Sequence, residues 1–306
     1  MIPAGARREL ETSLGERVRF DVPLARLTSL RVGGPADAVA TPADRDELAR
    51  LLAICTRHGV PHQLIGAGFN TLALDAGLEG VVIQLSRFRR LERESDGALR
   101  VEAGASHAQV TRFCVQHGLA GLEFAAGIPG TLGGWIAMNA GIPGREMKDV
   151  VEDVEVLEPA ADTPAFVPAD ALRFAYRTLA GLAPGSVIVS ARLRVAVSER
   201  AAVEAAVEQG LARRAATQPL NVPSCGSVFK NPPGDFAGRL IEQSGLKGHR
   251  VGGAQISPIH ANFIANTGGA TAADVLALIE EAQARVQAAS GARLEREVRI
   301  VGGRRA

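Results

Sequence analysis

Residues 121–144 read GLEFAAGIPGTLGGWIAMNAGIPG, a stretch that places seven glycines among large apolar side chains. Glycine loses more conformational entropy on folding than any other residue and offers no side chain for packing, so this apolar context requires a reason. The usual reason is that a bulky group approaches the backbone, whose N–H groups then act as donors. A phosphate group or a flat ring fits this description. A buried turn between closely packed elements is the structural alternative.

A second glycine loop, GAGFN at residues 66–70, follows a short apolar run at 62–65 that predicts a strand. The loop lacks the third glycine of the GxGxxG pattern, and no amphipathic helix is predicted after it. It is therefore a weak match to a Rossmann dinucleotide loop. It suits a tight loop that offers backbone N–H groups to a pyrophosphate, and an ordinary turn is the alternative.

Composition and charge narrow the class of protein. The chain has 306 residues, 46% of them hydrophobic, and its 34 basic and 33 acidic residues leave a formal net charge of +1. This balance gives no indication of a nucleic-acid or anionic-membrane partner. The cysteines match no zinc or disulfide spacing and the histidines form no HExxH-type pair, which favours a reducing cytoplasm and disfavours a metal site. No signal peptide and no apolar run of about 18 residues is visible.

Helices and strands alternate along the chain. Thr41 and Pro42 predict the N-cap and first residue of a helix, and Ser106 predicts the cap of another that ends near His117. A proline- and glycine-rich stretch at 218–234 indicates a domain boundary. Two α+β units are expected, and the larger, N-terminal one carries both glycine loops. Further predicted helices cover 201–216, 235–244 and the residues after Thr271, and predicted strands cover 81–85, 99–103, 150–157, 186–197, 262–265 and 297–301.

Ser227 lies in the polar segment SCGSVFKNP at 224–232. It is a candidate nucleophile or proton donor, and an ordinary turn residue is the alternative. A GxSxG elbow is absent, which argues against an α/β-hydrolase. The neighbouring Cys225 is predicted to be a small buried thiol rather than a reactive one.

Arg177 follows the single tyrosine, Tyr176, within the apolar stretch 174–179. A partly buried arginine needs an anionic partner or several acceptors, and a structural ion pair is the alternative to a functional role. Glu297 and Arg299 are predicted to share one face of the last strand, because side chains two apart point to the same side. Cross-strand salt bridging on a solvated face explains that pattern equally well.

Taken together, these segments resemble the UDP-N-acetylenolpyruvoylglucosamine reductases, flavoenzymes of bacterial peptidoglycan precursor synthesis. In two places the chain departs from the family pattern. Phe69 stands where the family usually has serine, which removes a possible hydroxyl contact to the pyrophosphate. Thr178 and Leu179 stand where Asp-Ser is frequent, and we expect activity to survive this change. The matching blocks occur in the family's order and cover nearly the whole chain: TSLRVGGPAD from Thr28, LIGAGFNTLALD from Leu64, residues 121–144, FAYR from Phe174, QPLNVPSCGSVFKNPPGDFAGRLIEQSGLKG from Gln218, AQISPIHANFIAN from Ala254 and EVRIVG from Glu297.

The resemblance implies an α+β fold. Its FAD-binding region is of the vanillyl-alcohol-oxidase and p-cresol-methylhydroxylase type and consists of two subdomains, and a C-terminal α+β domain binds the substrate. The implied bounds are 1–19 for an N-terminal segment, 20–85 and 86–208 for the FAD-binding subdomains, and 209–302 for the substrate-binding domain. Because the single tyrosine belongs to the FAYR motif, we expect the compact form of the family, which lacks a substrate-closing tyrosine loop.

The implied activity is the NADPH-dependent reduction of UDP-N-acetylglucosamine enolpyruvate to UDP-N-acetylmuramate through FAD. By resemblance, the catalytic residues are Arg177, which stabilises developing charge, Glu297, which completes the site, and Ser227, which donates a proton. We expect a cytoplasmic monomer with a small nucleotide-sugar substrate and without a metal, nucleic-acid or membrane partner. The residues implied to bind FAD non-covalently are Gly66, Ala67, Gly68, Phe69, Asn70, Thr71, Gly127, Ile128, Pro129, Gly130, Thr131, Gly133, Gly134, Asn139, Ala140 and Gly141. Those implied to bind the substrate are Tyr176, Lys230, Asn231, His260 and Arg299.

Two other functions stay open at this point. A related flavin oxidase that acts on an alcohol or sugar with oxygen would share the glycine loops. It would have no use for the set formed by Ser227, Arg177 and Glu297. A flavin- or nucleotide-binding module without activity would not require these three polar residues either. A flavin spectrum and substrate-dependent NADPH consumption distinguish the three functions.

Overall fold

The computed structural model describes residues 1–303, which divide into two compact units that each combine three separate stretches of chain. Segments 21–37 and 67–79, which the resemblance places in the first FAD-binding subdomain, group with the C-terminal residues. The functional domain bounds stay a prediction. Unit 1 contains Met1–Phe20, Ala38–Gly66 and Gly80–Arg214, and unit 2 contains Asp21–Asp37, Ala67–Glu79 and residues 215–303.

Helices and strands alternate throughout the described residues, as the sequence pattern predicts. The helices are α1 (Ala4–Leu14), α2 (Arg45–Arg57), α3 (His107–His117), α4 (Leu132–Ala137), α5 (Arg200–Thr217), α6 (Ala237–Gln243) and α7 (Ala272–Ser290). The strands are β1 (Val18–Pro23), β2 (Pro35–Ala40), β3 (His62–Leu64), β4 (Thr71–Ala73), β5 (Leu78–Ile83), β6 (Leu91–Arg93), β7 (Leu99–Glu102), β8 (Leu119–Ala120), β9 (Gly141–Ile142), β10 (Arg145–Glu146), β11 (Val151–Leu157), β12 (Ala165–Pro168), β13 (Arg173–Ala175), β14 (Thr178–Ala180), β15 (Val187–Leu193), β16 (Ala196–Val197), β17 (Ser224–Ser227), β18 (Arg250–Val251), β19 (Ala254–Ile256), β20 (Phe263–Asn266) and β21 (Arg299–Val301).

Unit 1 contains a five-stranded antiparallel sheet with the strand order β12-β11-β15-β7-β6. Its central strands β11 and β15 are buried along most of their length. A second sheet has the order β1-β2-β5-β3, with β3 and β5 parallel. Helix α3 begins with the predicted cap, because the Ser106 hydroxyl and the Gln109 side chain form a capping box. It ends at Gly118, which adopts a left-handed conformation.

Unit 2 contains the antiparallel sheet β17-β20-β19-β18 and a separate parallel pair of β21 with β4. Helix α7 contributes six buried residues to the core of this unit. Its N-terminus is fixed by the N-cap Thr271 and by Asp75, whose carboxylate accepts hydrogen bonds from Ala272 N (2.9 Å) and Ala273 N (3.0 Å). Asp75 thereby ties the segment after the 66–70 loop to the longest helix of this unit.

The predicted start of α2 is wrong. The helix begins at Arg45 with Asp44 as its N-cap, and the Asp44 carboxylate accepts a hydrogen bond from Glu47 N (2.9 Å). The Glu47 carboxylate also accepts from Ala43 N (2.8 Å) and pairs with Arg17. These bonds hold the residues after Thr41 outside the helix, so the aspartate caps it instead.

The predicted strand at 297–301 begins two residues later than expected. Glu297 N and Val298 N both donate to the carbonyl oxygen of Val228, at 2.8 and 3.2 Å. These bonds bend the chain before β21 begins at Arg299, so Glu297 lies outside the strand and the predicted shared face with Arg299 is wrong. Strand β4, directly after the 66–70 loop, was not predicted.

Residues 1–303 lack both a helix suited to span a membrane and a cluster of side chains suited to bind a metal ion. None of the helices in this range is both long enough and apolar enough to cross a membrane. Among the same residues, no group of three or more His, Cys, Asp or Glu side chains is arranged to hold a metal ion.

Candidate functional site

Gly66, the first residue of the 66–70 loop, lies against the glycine segment inside unit 1. A Cβ atom built on Gly66 would lie 2.9 Å from the Thr131 hydroxyl oxygen, which is closer than real side chains approach. The first residue of the 66–70 loop therefore lies directly beside the glycine segment at 127–134, and only glycine fits there without a shift.

The glycines of residues 127–141 serve two different purposes. A Cβ on Gly133 would lie 3.0 Å from the Ala103 Cβ, and one on Gly141 would lie 2.2 Å from the Arg145 carbonyl oxygen. These two glycines allow close packing. A Cβ on Gly130 would meet no atom within 4 Å, and one on Gly134 would meet only the Thr131 hydroxyl oxygen, at 3.8 Å. Backbone is thus accessible at Gly130 and Gly134, and a flat ring or a phosphate group fits against it.

Arg214 of α5 lies against the same segment and was missed by the sequence analysis. Its Nε donates to the Ala126 carbonyl oxygen (3.2 Å), and a Cβ on Gly127 would lie 2.8 Å from its Cδ. Burial lowers the pKa of the Arg214 guanidinium, and the positive charges of Arg177 and Arg213 lower it further. A cation in such a place favours an anionic ligand. The sequence gives only a weak indication of it, an arginine pair just before the 218–234 boundary.

Asn139 holds the hairpin formed by β13 and β14. It is fully buried with a left-handed φ of 41°. Its Nδ2 donates to the Ala175 carbonyl oxygen (3.1 Å) and to the Glu146 carboxylate (2.9 Å), and its Oδ1 accepts from Lys148 N (2.9 Å). Both amide hydrogens are therefore used within the protein, which assigns the Asn139 side chain to positioning. The implied FAD contact at this residue stays a prediction.

Arg177 lies at the tip of that hairpin, two residues after Ala175. Its Nη2 donates to the Gly141 carbonyl oxygen (3.2 Å), and its guanidinium carbon lies 4.9 Å from the Tyr176 ring centroid. Its φ of 56° is left-handed, which costs a non-glycine residue about 1–2 kcal/mol. A strained backbone that carries a half-buried arginine is typical of a functional position.

Ser227 ends β17, directly after a β-bulge in unit 2. Ser224 pairs with Ala265 and Ser227 pairs with Phe263, so an extra residue is accommodated between them. Gly226 supplies the left-handed φ of 74°. Cys225 is buried, as predicted, and burial raises the pKa of its thiol to about 12. It is consequently a poor nucleophile.

Glu297 and the 66–70 loop lie beside the strand that carries Ser227. Glu297 N donates to the carbonyl oxygen of Val228, the residue after Ser227 (2.8 Å). The Asn70 Nδ2 donates to the Glu297 carbonyl oxygen (3.1 Å), and Arg299 N donates to the Asn70 carbonyl oxygen (3.1 Å). Unit 2 thus groups two predicted catalytic residues, Ser227 and Glu297, with the last residue of the predicted pyrophosphate loop.

The predicted substrate residues Lys230 and Asn231 follow Ser227 on the same segment. The Lys230 ammonium pairs with the exposed Glu295 carboxylate at 2.6 Å. The Asn231 Oδ1 accepts a hydrogen bond from Ala237 N, the first residue of α6, at 3.0 Å. The Lys230 pair is solvent-accessible and can exchange for an anionic ligand, whereas the Asn231 oxygen already stabilises a helix start.

The three remaining predicted substrate residues, His260, Tyr176 and Arg299, differ in exposure. The His260 Nδ1 accepts from Asn262 N (3.2 Å), and burial is the main cause that lowers the pKa of this imidazole. Tyr176 is 42% exposed in unit 1, at the hairpin tip beside Arg177. Arg299 is exposed on β21, where it pairs with Thr71 of β4. The structure therefore places one of these residues in unit 1 and two in unit 2.

Known proteins match the chain over nearly its whole length. The family model described as "FAD binding domain" matches residues 36–163, and the one described as "UDP-N-acetylenolpyruvoylglucosamine reductase, C-terminal domain" matches residues 218–301. A relative named UDP-N-acetylenolpyruvoylglucosamine reductase from Anaeromyxobacter dehalogenans (strain 2CP-C) is 52% identical over 288 residues, which is 94% of this chain and 86% of the relative. One of the same name from Geotalea uraniireducens (strain Rf4) is 43% identical over 97% of this chain and 98% of its own length.

A solved structure agrees with these sequence matches. The crystal structure of UDP-N-acetylenolpyruvylglucosamine reductase from Thermus caldophilus has a TM-score of 0.81 and 36% identity, and the match covers 93% of this chain and 100% of that one. Together the matches confirm the predicted α+β fold, with an FAD-binding region of the vanillyl-alcohol-oxidase type and a C-terminal domain of the reductase family.

Proposed function

The chain belongs to the UDP-N-acetylenolpyruvoylglucosamine reductase family, and on that premise we propose that it reduces the enolpyruvyl ether of UDP-N-acetylglucosamine to the lactyl ether with NADPH. It is an FAD-dependent oxidoreductase. Bound FAD supplies hydride transfer between NADPH and the terminal alkene carbon of the substrate. The observation that carries the proposal is the grouping of Ser227 and Glu297 beside Asn70, the end of the predicted pyrophosphate loop.

The glycine loops fit FAD. Gly130 and Gly134 leave backbone accessible, and the tight contact between Gly66 and Thr131 joins the two loops at that place. Arg214 adds a half-buried cation against Gly127, which suits the negative charge of a diphosphate. We assign FAD binding to residues 66–71, 127–131, 133–134 and 139–141, and we add Arg214 to this set.

Arg177 would stabilise the negative charge that develops on the substrate during hydride addition. The alkene bears a single carboxylate, which accepts electron density poorly, so charge that accumulates there must be met by a positioned cation or donor. A guanidinium offers a planar fork that binds a carboxylate at two points. The hairpin fixes the backbone of Arg177 through Asn139, and Gly141 accepts one of its N–H groups. Glu297 completes the catalytic set by its place in the family pattern.

Ser227 would donate the proton to the carbon next to the carboxylate. A hydride and a proton together saturate the double bond, so the reaction consumes one proton for each NADPH oxidised. An unassisted hydroxyl is a very weak acid, and the strongly basic carbanion or enolate of the substrate is what makes it competent. The bulge at Gly226 sets the direction of this residue. Strand β17 itself contains no histidine or lysine.

The remaining polar residues would bind the nucleotide sugar. Lys230 and Arg299 offer positive charge, and Tyr176, Asn231 and His260 offer polar or aromatic contact. The single tyrosine lies in the hairpin, in agreement with the compact form of the family. NADPH and nucleotide sugars are cytoplasmic metabolites, so we assign the activity to the cytoplasm. A monomer stays the expected oligomeric state.

Purified protein tests this proposal. We expect a yellow protein whose flavin is released on acid precipitation, and NADPH oxidation that requires the enolpyruvyl nucleotide sugar. Oxygen consumption with an alcohol or sugar, and no response to the enolpyruvyl substrate, would favour a flavin oxidase. A colourless protein that does not take up added FAD would contradict the proposal altogether.

A further inference from the structure

Ser29 connects two segments of unit 2 that are far apart in sequence. Its hydroxyl lies 2.6 Å from the Ser224 carbonyl oxygen and 3.0 Å from the Gly68 carbonyl oxygen. The Gly68 oxygen also accepts a hydrogen bond from Ser29 N, at 3.1 Å. One half-buried side chain thus contacts both the predicted pyrophosphate loop and the first residue of β17.

The turn that carries Ser29 is itself held in place. The Thr28 hydroxyl donates to the Val32 carbonyl oxygen (2.9 Å), and Asn266 Nδ2 donates to the Leu30 carbonyl oxygen (3.1 Å). Gly68 packs directly on the turn, because a Cβ there would lie 2.1 Å from the Leu27 carbonyl oxygen. Ser29 therefore has little freedom to move away from either carbonyl.

The contact to Ser224 bears on the position of Ser227. Ser224 is the fixed end of a short segment whose middle is the bulge at Cys225 and Gly226. The carbonyl oxygen of Phe69 lies 3.4 Å from the place where a Cβ on Gly226 would be, so the loop also lines the bulge. A bulge disrupts the ladder locally and re-aims the neighbouring side chain, and Ser224 anchors this bulge on the side opposite Ser227, which pairs with Phe263.

We infer that Ser29 is a positioning residue whose hydroxyl couples the loop that holds FAD to the strand that carries the proton donor. The held turn keeps the Gly68 and Ser224 carbonyl groups at set positions around Ser29, so the loop and the strand keep one arrangement relative to each other. This inference rests on the proposed function, since it assigns Ser29 an effect on the proposed roles of Gly68 and Ser227.

The test measures three quantities in Ser29→Ala: the Kd of the apoprotein for FAD, the rate of flavin reduction by NADPH, and the rate of flavin reoxidation by the enolpyruvyl substrate. Loss of one hydrogen bond to the loop should raise the Kd about 3- to 10-fold. Reoxidation should slow about 10- to 100-fold, the scale of a small misplacement of a reacting group. Reduction by NADPH should change less than about 3-fold, because it needs no proton from Ser227.

Three variants serve as controls. Ser29→Thr keeps the hydroxyl and should stay close to the parent in all three quantities. Ser244→Ala removes a hydroxyl that donates only to the Leu240 carbonyl oxygen of its own helix end (2.8 Å), and it should behave like the parent. Ser29→Ala added to Ser227→Ala should cause no further loss of reoxidation rate, because a residue that acts through Ser227 has no effect without it.

The outcomes separate the inference from the proposed function. Equal slowing of both half-reactions in Ser29→Ala, or additive loss in the double variant, would show a general structural role and overturn the inference. Reoxidation at the parent rate in Ser29→Ala, together with slow reoxidation in Ser227→Ala, would also overturn the inference. Reoxidation at the parent rate in Ser227→Ala would instead overturn the proposed role of Ser227 as proton donor. If Ser29→Ala does not fold, Ser29→Cys decides, since a weak thiol donor should slow reoxidation while Ser29→Thr does not.

Discussion

The glycine segment at 127–141 and the serine segment at 224–231 are both conspicuous in the sequence, yet the structure builds them differently. The glycine segment is shaped by the absence of side chains. Gly133 and Gly141 allow backbone and Cβ atoms to come close, and Gly130 leaves a surface that a ligand can approach. Its glycines carry no functional groups, so the segment itself offers a shape, and the charge beside it comes from Arg214 of α5.

The serine segment takes its geometry from residues far away in the chain. Ser29 reaches Ser224 across 195 positions, and Asn70 reaches Glu297 across 227 positions. We infer that residues 127–141 serve mainly cofactor binding and residues 224–231 mainly proton delivery, and that Ser29 links the second segment to the 66–70 loop. Substitutions in the first segment should change FAD affinity, whereas substitutions in the second should change turnover by an enzyme that still binds FAD.

Ser227→Ala is the strictest test of whether the serine segment affects turnover without affecting FAD binding. We expect normal FAD binding and normal reduction by NADPH, followed by reoxidation that is slower by about 10²- to 10⁴-fold, the range for a positioned general acid. Ser227→Cys should recover part of the loss, because a thiol is a stronger acid than an alcohol and only modestly larger. Stopped-flow flavin absorbance follows both half-reactions. Reoxidation at the parent rate would make the serine an ordinary turn residue.

Arg177→Lys tests whether unit 1 contributes more than a shape. Lysine keeps the charge but loses the planar fork, so substrate turnover should fall by about 10²-fold or more while reduction by NADPH survives. Arg177→Gly is the matched control for folding. Glycine tolerates the φ of 56°, so this variant should melt no lower than the parent although its turnover is lost. Near-normal turnover in the lysine variant would remove Arg177 from the mechanism.

The sequence predicts the local features of the fold well. Ser106 caps its helix as expected, and strands β11 and β15 lie within the stretches 150–157 and 186–197 that were predicted as strands. The start of α2 was predicted wrongly because Glu47 reaches back to Ala43 and Arg17, a set of contacts that no cap pattern contains. Local signals describe an element, and tertiary hydrogen bonds decide its last few residues.

The candidate site was less predictable from its residues than from the family resemblance. Ser227 and Glu297 are unremarkable by pattern, since their proximity arises from the bonds that Val228 and Asn70 make to residue 297. The half-buried position of Arg214 could not be predicted, because α5 is otherwise rich in exposed alanines, glutamates and arginines. Long-range backbone pairing leaves no periodic mark in the sequence, so such residues are found only in three dimensions.

Gly134→Ala and Gly133→Ala distinguish an open glycine from a closely packed one within the glycine segment. Both lie in α4, where alanine favours the helix by up to about 1 kcal/mol. A Cβ on Gly134 has free space, so Gly134→Ala should keep or raise the melting temperature while the Kd for FAD increases about 10-fold. A Cβ on Gly133 would lie 3.0 Å from Ala103, so Gly133→Ala should lower the melting temperature of the apoprotein. Unchanged FAD affinity in Gly134→Ala would show that this open backbone is not a cofactor surface.

The smallest expected effect concerns His260, which lies in unit 2 with the serine segment. Burial is the main cause that lowers the pKa of this imidazole, and its Nδ1 accepts a hydrogen bond from Asn262 N, which a protonated ring cannot do. Above the ordinary histidine pKa of about 6.5, both folded and unfolded states are neutral and stability does not depend on this group. As the pH falls below that value, the unfolded state takes up a proton first, so the free energy of unfolding decreases.

His260→Gln should therefore flatten the loss of stability between about pH 6.5 and 5, by at most the one-proton limit of about 1.4 kcal/mol per pH unit. Urea unfolding at several pH values measures the slope. FAD affinity should stay at the parent value in His260→Gln, because the substituted side chain belongs to the serine side of the comparison. A higher Kd for FAD in this variant would contradict the division of roles between the two regions. A pH slope equal to that of the parent would contradict the assigned effect of burial on His260.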